Sequence, residues 1–167
     1  GVDAARGWVI DMASRIDVDA LPDAVVAHFG RLDIVINNAG VTQPDGFDAD
    51  AVEFDEAWDS VMSVNLTAYA RLARAARVHL EASDSARIVC TASTEALGAS
   101  GRVPAYNASK AGVIGLVRAL AVELGRRGIT TNAVCPGPIE TGMTAGIPEE
   151  HRDTFARRRV PLGRYGS

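Results

Sequence analysis

The chain alternates short apolar runs with longer segments of helical period. Four runs have the length of strands: residues 7–11, 33–37, 87–91 and 130–135. Between them, apolar residues recur every three or four positions, as they do on one face of a helix. Strands that alternate with helices in this way form βαβ units around a parallel sheet. We therefore predict a single α/β domain over residues 1–167.

The first predicted helix covers about residues 14–29 and ends at Gly30, a residue typical of helix C-termini. Pro22 lies within this segment, and a proline deep inside a helix costs about 3 kcal/mol. Two interpretations follow. Either the helix is kinked at Pro22, or Asp19 is its N-cap and Pro22 falls in the first turn. We favour the later start.

Two longer helices and a short one are predicted downstream. The segment 55–80 carries an apolar stripe at helical spacing, formed by Trp58, Met62, Leu66, Tyr69, Ala73, Ala76 and Leu80. Pro104 stands where proline is tolerated at a helix start, and this helix continues to about residue 125. The remainder, to residue 167, is polar and punctuated by proline and glycine, which predicts a short helix and a loop.

Polar or glycine-rich clusters follow the second, third and fourth predicted strands. The run Asn-Asn-Ala-Gly occupies residues 37–40, Ser93 follows the third strand, and Pro-Gly-Pro ends the fourth at residues 136–138. The carboxyl ends of parallel strands share one edge, and open α/β sheets bind their ligands at that edge. We predict the functional site there.

Composition argues against two classes of partner. The formal charge is -4 and the isoelectric point about 5.3, so no basic field is available to hold nucleic acid or anionic lipid. The longest basic run, residues 157–159, is more typical of a solvated helix end than of a site for a phosphorylated carrier. No apolar stretch reaches the ~20 residues of a membrane span. We predict no nucleic-acid partner and no membrane partner.

The cysteines and histidines bear on two questions, the cellular location of the protein and the presence of a metal site. Cys90 and Cys135 both end apolar runs, which indicates reduced, buried cysteines rather than a disulfide framework. The first residues lack a signal-peptide pattern, and we predict a cytoplasmic protein. No metal site is predicted, because metal-ligand spacing is absent among His28, His79 and His151.

Tyr106 and Lys110 are four positions apart near the start of the helix that follows Pro104. This spacing places both side chains on one helix face, with ~6 Å of axial rise between their Cα atoms. An adjacent ammonium group and the positive end of the helix dipole both favour the phenolate form of tyrosine. Such a tyrosine can serve as a general acid or base. Taken alone, the spacing is common and is typical of a solvated helix face.

Ser93 precedes Tyr106 by thirteen residues. Its hydroxyl is able to hydrogen-bond a carbonyl oxygen on which charge develops. The alternative is an ordinary loop or N-cap serine, and Thr94 and Ser100 are nearby competitors. The motifs around residues 37–40 and 136–141 have similarly plain alternatives, a turn and a strand terminator.

The combination of motifs is more specific than any one of them. In order, the chain carries Asn-Asn-Ala-Gly at 37–40, Asn65, Ser93, Tyr-Asn-Ala-Ser-Lys at 106–110 and Pro-Gly-Pro-Ile-Glu-Thr at 136–141. This order and its spacings resemble the short-chain dehydrogenase/reductase family over essentially the whole chain. The resemblance implies a doubly wound parallel sheet of the Rossmann type, with NAD or NADP as cofactor.

The resemblance also implies a catalytic set of Asn65, Ser93, Tyr106 and Lys110. Tyr106 would donate a proton in carbonyl reduction and accept one in alcohol oxidation, while Ser93 would orient and polarise the substrate oxygen. Lys110 would also hydrogen-bond the ribose of the nicotinamide half. Asn65 would hold a water that links Lys110 to solvent. The cofactor carries the hydride.

Cofactor contacts are implied in the same way, with Tyr106 and Lys110 among them. Asp11 and Met12 fall where the family's Asp-Val pair meets the adenine; a helix-capping carboxylate is the alternative for Asp11. The adenine ribose would be lined by Asn38, Ala39 and Gly40. The carboxamide end of the nicotinamide would be held and enclosed by Ile139, Thr141, Pro136 and Gly137.

The main departure from the family is a missing motif. The Gly-rich phosphate-binding turn does not occur in this sequence, and neither does the family's last strand. If residues 7–11 are the family's third strand, roughly 60 residues lie upstream, at ~30 per βαβ unit. We expect a fragment truncated at both ends, without the residue that distinguishes NAD from NADP.

The implied activity is hydride transfer between NAD(P) and a carbonyl or secondary alcohol. The substrate stays open between 3-oxoacyl thioesters and secondary alcohols of sugars or steroids, and residues 142–159 are the expected lid that selects it. The alternative is a non-catalytic Rossmann-type scaffold, or a fragment that never binds cofactor.

The helix from Pro104 carries more apolar residues than one side of a sheet needs: Ala111, Val113, Ile114, Leu116, Val117, Leu120 and Ala121. The resemblance implies that the two long helices pair with their copies about a two-fold axis. The small residues expected to allow close approach are Gly112, Gly115 and Ala119. We predict a homodimer or homotetramer; the alternative is that all these side chains cover the sheet.

Overall fold

The structure, a computed structural model, describes residues 4–43 and 46–167. In this part of the chain, three parallel strands form one sheet. β1 is Ile34–Asn37, β2 is Arg87–Thr91 and β3 is Thr130–Val134. Their order is β1-β2-β3, and they pair in a register that aligns their ends. The predicted parallel α/β sheet is therefore confirmed, with strand ends within one residue of the predicted ones.

Helices pack against this sheet and against one another. In the described chain they are α1 Arg15–Phe29, α2 Ala51–Met62, α3 Ala68–Glu81, α4 Pro104–Gly125 and α5 Glu149–Arg159. α3 contacts β1 and β2, α4 contacts β2 and β3, and α1 packs on α3. The core between these elements includes Val18, Tyr69, Leu72, Leu80, Ile88, Val113 and Ile129.

α1 begins directly after Ser14, earlier than the favoured prediction. Ser14 is the N-cap, and its Oγ accepts a hydrogen bond from the amide of Asp17 at 3.3 Å. Pro22 lies inside the helix and is buried. The predicted start with Asp19 as N-cap is wrong, because the serine cap and the burial of Pro22 offset the hydrogen bond that proline cannot make.

Residues 7–11, predicted as a strand, lie outside the sheet. Val9 is fully exposed, while Trp8 packs edge-on against His28 and Phe29 of α1. A strand requires a neighbour whose backbone groups pair with its own. Within residues 4–43 and 46–167 no strand pairs with this segment, and the prediction is corrected for that reason.

The predicted helix of residues 55–80 is two α-helices, α2 and α3, joined by a π-helical turn at Ser63–Thr67. The side chains buried in its first half are Ala57, Val61 and Asn65. Each lies one position before the predicted Trp58, Met62 and Leu66. The three predicted residues are half-buried, and Leu66 packs against the core. The most buried positions are shifted by one residue because a π turn adds one residue to the helix. In α3 the predicted positions are buried: Tyr69, Ala73, Ala76 and Leu80.

α4 approaches the π turn closely at Gly112. A Cβ on Gly112 would lie 2.7 Å from Cδ2 of Leu66, whereas a Cβ on Gly115 would meet open space. Gly112 therefore serves packing within the chain rather than contact between copies. Of the three small residues predicted for helix pairing, Gly115 and Ala119 are exposed.

Candidate active site

The loop of residues 38–40, which follows β1, is held by hydroxyl groups from two neighbouring elements. Thr91, the last residue of β2, donates from Oγ1 to Asn38 Oδ1 at 3.0 Å. Tyr69 of α3 donates from its phenol to the carbonyl of Ala39 at 2.9 Å. Asn38 and Ala39 are exposed and Gly40 is half-buried. The 38–40 loop therefore presents accessible backbone at the carboxyl edge while α3 and β2 fix its position.

Asn65 lies in the π turn and is fully buried. Its Oδ1 accepts from the amide of Val41 at 2.8 Å, and its Nδ2 donates to the carbonyl of Val41 at 2.9 Å and to Ser109 Oγ at 3.2 Å. Ser109 donates in turn to the carbonyl of Tyr106 at 2.8 Å. Asn65 thus joins the segment after the 38–40 loop to the first turns of α4. Its role of holding a water stays a prediction.

Lys110 is 3% exposed and is the only lysine in the sequence. Its Nζ donates to the carbonyl of Thr91 at 2.7 Å. The same atom lies 5.7 Å from the ring centroids of both Tyr69 and Tyr106, within cation–π range. Burial lowers the pKa of Lys110, and Cys90 nearby acts in the opposite direction. The ammonium group is therefore held between two aromatic rings beside the end of β2.

Tyr106 is half-buried in the first turn of α4, one turn before Lys110. Ser93, two residues after β2, is 7% exposed. Its Oγ accepts from the amide of Glu95 at 3.1 Å and so caps a short 3-10 helix, Thr94–Ala96. A hydroxyl that accepts this bond can still donate one. The capping alternative and the predicted bond to a substrate oxygen are therefore compatible.

The neighbouring hydroxyls differ from Ser93 in burial. Thr94 is exposed and Ser100 is half-buried. The carbonyl of Ser100 accepts a hydrogen bond from Asn107 Nδ2 at 2.7 Å, which fixes the loop that leads into α4. Ser93 is therefore the buried hydroxyl of the three.

The segment after β3 contacts both the 3-10 helix and residues near the end of the described chain. The carbonyl of Pro136 accepts from the amide of Thr94 at 3.0 Å. The amide of Gly166 donates to the carbonyl of Pro138 at 3.0 Å, and the amide of Glu140 donates to the carbonyl of Gly166 at 2.8 Å. These bonds fix the backbone of the loop that carries the predicted nicotinamide contacts.

Ile139 and Thr141, predicted to hold the carboxamide, are exposed beside the backbone hydrogen bonds that Gly166 makes. Thr144 Oγ1 donates to the carbonyl of Ile139 at 2.8 Å and accepts from the amide of Thr141 at 3.0 Å. Gly137, predicted for the wall of the site, is also exposed, and Pro136 is half-buried. The structure thus places these residues in one loop at the carboxyl edge of the sheet.

Asp11 and Met12 lie in the turn before α1. Asp11 is exposed, and its carboxylate accepts from the amide of Ala13 at 2.8 Å. The amide of Asp11 donates to Asp17 Oδ2 at 3.0 Å. Met12 is half-buried against the core. The helix-capping position itself belongs to Ser14, and the adenine contact of Asp11 stays a prediction.

Two buried polar residues next to the site were not among the predicted site residues. Tyr69 was assigned to an apolar stripe, and burial raises the pKa of its phenol. Asn37 was part of a run interpreted as a turn; its Nδ2 donates to Cys90 Sγ at 3.5 Å. Its Oδ1 is buried with no hydrogen-bond partner in the described part of the chain. The sequence contains one further signal for this site, because Lys110 is its only lysine.

Two features are absent from the described residues, a cluster of metal ligands and a helix that could span a membrane. No group of three or more His, Cys, Asp or Glu side chains there is arranged to hold a metal ion. Among the same residues, every helix is too short or too polar to span a membrane.

A parallel sheet whose carboxyl edge collects Ser93, Tyr106 and Lys110 defines an α/β protein of the nucleotide-binding type. A family model described as Enoyl-(Acyl carrier protein) reductase matches residues 2–167. The chain belongs to the short-chain dehydrogenase/reductase family.

Individual relatives agree with this assignment. The 3-oxoacyl-(acyl-carrier-protein) reductase of Thermotoga maritima is 38% identical over 160 residues, which cover 95% of this chain and 63% of the relative. The 2-dehydro-3-deoxy-D-gluconate 5-dehydrogenase of Escherichia coli is 38% identical over 156 residues, 91% of this chain and 60% of the relative.

A solved structure shows the same fold. The crystal structure of a short-chain alcohol dehydrogenase from Sinorhizobium meliloti 1021 matches with a TM-score of 0.86 at 30% identity. The match covers 95% of this chain and 62% of that chain. The chain therefore spans between 60% and 63% of the length of these three proteins.

Proposed function

We propose that the complete protein is an NAD(P)-dependent oxidoreductase that moves a hydride between its cofactor and a carbonyl or secondary alcohol. The observation that carries this proposal is the buried Lys110 ammonium, 5.7 Å from the ring centroid of Tyr106. In this proposal residues 1–167 are a single, partial Rossmann-type domain of the enzyme.

The residues at the carboxyl edge fit a nicotinamide nucleotide. A Cβ on Gly40 would lie 3.5 Å from Asn65 Oδ1 and from Lys110 Nζ, so glycine keeps the space beside the lysine open. Lys110 has two further N–H donors besides the one used by Thr91, and these can bind ribose hydroxyls. The bound cofactor supplies the hydride.

The remaining cofactor contacts are proposed by position. The adenine side would be formed by the turn before α1 and by the 38–40 loop, through Asp11, Met12, Asn38, Ala39 and Gly40. The nicotinamide side would be formed by the loop after β3, through Pro136, Gly137, Ile139 and Thr141. The 38–40 loop and the loop after β3 both lie beside the ends of the strands, where exposed backbone is accessible.

Tyr106 is the proposed proton-transfer group. In carbonyl reduction its phenol donates a proton to the substrate oxygen, and in alcohol oxidation the phenolate accepts one. The Lys110 ammonium, 5.7 Å from the centroid of the ring, lies close enough to interact with charge that develops on the phenol oxygen during the transfer. Ser93 donates a hydrogen bond to the same substrate oxygen, and Asn65 holds α4 against the 38–40 loop through Ser109 and Val41.

Two substrate classes are supported by the names of relatives. One relative is a 3-oxoacyl-(acyl-carrier-protein) reductase and another a 2-dehydro-3-deoxy-D-gluconate 5-dehydrogenase. We propose a 3-oxoacyl thioester or a secondary alcohol of a sugar or steroid as substrate. Residues 142–159, which include all of α5, are the proposed lid that selects between them.

Tyr106→Phe in the full-length protein tests the proton-transfer role. We expect turnover to fall by at least about 100-fold, because the proton donor is lost. The Kd for NADH or NADPH should be nearly unchanged, because the ring remains. Lys110→Ala should weaken both turnover and cofactor binding. Turnover is measured spectrophotometrically with both cofactors against ketones, sugars and an acyl thioester, and binding by nicotinamide fluorescence.

Tyr165→Phe is the matched control. It also removes one phenolic hydroxyl, from a half-buried tyrosine whose ring packs edge-on against Phe155. This variant should retain wild-type turnover. Wild-type turnover in Tyr106→Phe would contradict the proton-transfer role. A full-length protein that bound neither cofactor and converted no substrate would favour the non-catalytic scaffold.

We also propose that the complete protein is a homodimer or homotetramer that uses α4. Val113 and Val117 are buried, so part of the apolar surface of α4 covers the sheet. An exposed stripe remains at helical spacing: Ala111, Gly115, Ala119 and Val122. Contact between two copies of the same surface closes an assembly and is the commonest arrangement in soluble homo-oligomers.

A cytoplasmic location is proposed for the protein. Cys90 and Cys135 are both unpaired, which is typical of proteins in a reducing compartment. Cell fractionation of the full-length protein checks this proposal.

A further inference from the structure

Tyr69 is a fully buried tyrosine that contacts two parts of the candidate active site. Its phenol donates to the carbonyl of Ala39 in the 38–40 loop at 2.9 Å. The face of its ring lies 5.7 Å from Lys110 Nζ. Since Tyr69 belongs to α3 and Lys110 to α4, one side chain connects two helices and the loop that follows β1.

We propose that Tyr69 is a positioning residue that holds the Lys110 ammonium against the 38–40 loop. Cofactor affinity depends on the hydroxyl of Tyr69, and the charge of Lys110 depends on the ring of Tyr69. The proposal rests on the function proposed above, because it places Tyr69 at the same site.

The hydroxyl of Tyr69 acts on the loop. Ala39, whose carbonyl it binds, directly precedes Gly40, and a Cβ on Gly40 would lie 3.5 Å from Lys110 Nζ. Holding the Ala39 carbonyl therefore fixes how closely the loop approaches the lysine. Loss of this bond leaves the loop with the bond between Thr91 and Asn38, and the exposed backbone can then move relative to Lys110.

The ring of Tyr69 acts on the charge. The titratable groups that face Lys110 are Cys90 from β2, Tyr106 from α4 and Tyr69 from α3. The 38–40 loop contributes uncharged groups only. Burial raises the pKa of the Cys90 thiol, so this neighbour supplies no full negative charge at neutral pH. Aromatic faces and the carbonyl of Thr91 are then what stabilises the buried ammonium.

Two substitutions in the full-length protein separate these effects. Tyr69→Phe removes the hydroxyl and keeps the ring, whereas Tyr69→Leu removes both. Lys110 is observed in cofactor-free protein labelled with ¹³C at the lysine ε-carbon, and Lys110→Arg assigns its signal. We expect Tyr69→Phe to leave the titration of Lys110 unchanged and to raise the Kd for NADH or NADPH about fivefold, equivalent to a net hydrogen bond of ~1 kcal/mol.

Tyr69→Leu should move the titration of Lys110 to lower pH, because the ammonium loses an aromatic face and its charged form becomes less stable. Leu80→Ala, at the far end of α3 and equally buried, is the control for general loss of packing and should leave the titration unchanged. If Tyr69→Leu does not fold, Tyr69→Met retains more side-chain volume without a ring and is titrated in its place.

Two results would overturn the proposal. One is a ring-free variant in which Lys110 titrates as in the wild type. The other is a Tyr69→Phe variant that binds both cofactors as tightly as the wild type. A wild-type protein that binds neither cofactor would instead contradict the proposed function, and the Lys110 titration would still decide whether the ring of Tyr69 acts on the lysine.

Discussion

Lys110 occupies a position that is unfavourable for a charge. An ammonium group removed from water loses several kcal/mol of hydration, which its partners must offset. Lys110 has one hydrogen bond, to Thr91, and two aromatic rings, and burial lowers its pKa. Apart from three histidines, the other basic residues of the chain are all arginine. A lysine kept at such a place is more typical of function than of stability.

Lys110→Met should therefore stabilise the full-length protein while it removes activity. We expect the free energy of unfolding at pH 7 to rise by about 1 kcal/mol, because methionine fills a similar space without a charge. The wild type bears the unfavourable charge at every pH below the lowered pKa of Lys110, and loses it as the pH rises through that value. The advantage of the variant should then shrink at alkaline pH. Urea unfolding across this pH range measures it, and an advantage that grew with pH would contradict the argument.

The positions of Tyr106 and Lys110 could be predicted from the sequence because helical geometry alone places residues four apart on one face. The positions of Tyr69 and Asn37 relative to them could not. Periodicity indicates that a side chain is buried, but it does not indicate which partner its polar atom meets. For Tyr69 that partner is a carbonyl thirty residues away.

At the scale of the elements, α4 packs tightly against the π turn at Gly112, where a Cβ would lie 2.7 Å from Cδ2 of Leu66. Gly112→Val should lower the free energy of unfolding by about 1–3 kcal/mol, the usual cost of overpacking. Helix propensity alone favours valine over glycine, so any loss reports crowding against Leu66. Ala121→Val, at an exposed position of α4, is the matched control, with a loss of about 0.5 kcal/mol. A Gly112→Val variant with wild-type stability in urea would show that Leu66 can move aside.

Most elements could be predicted from the spacing of their hydrophobic residues, as is the case for β1, β2, β3 and α4. Two features could not. Residues 7–11 have the composition of a strand, but a strand also needs a partner, and period carries no information about partners. The π turn adds one residue between two well-patterned helices, and a stripe drawn at a constant interval across Ser63–Thr67 shifts by one position.

At the scale of the whole molecule, the exposed stripe of α4 predicts assembly. Val122→Glu places a charge on a residue that is 83% exposed in the single chain. If two copies meet there, the contact must bury a charged side chain that Arg118 and Arg126, one turn away on either side, offset only in part, and we expect the full-length variant to dissociate. Ala121→Glu, exposed on another side of α4, should leave the assembly intact. Light scattering measures the assembly of both variants. A wild-type protein that is a monomer at micromolar concentration would show that the stripe is free surface and not an interface.

The family could be predicted from the sequence because the order and spacing of five motifs, from residues 37–40 to residues 136–141, resemble those of its members. Three of these motifs follow strands, whose ends the parallel topology brings to one edge of the sheet. The contacts of Asp11 could not be predicted in the same way, because its segment has no strand beside it in the described chain.

The π turn also has a meaning for the gene, where it corresponds to one extra codon in an otherwise regular helix. Deleting one of the five codons for Ser63–Thr67 would remove the bulge and leave a regular α-helix of about 3.6 residues per turn. Ala57 and Val61 would keep their interior face, because the bulge is what absorbs the extra residue. The backbone that carries Asn65 would change, and with it the pairing of Asn65 with Val41. The extra codon therefore matters to the site rather than to the packing of the core.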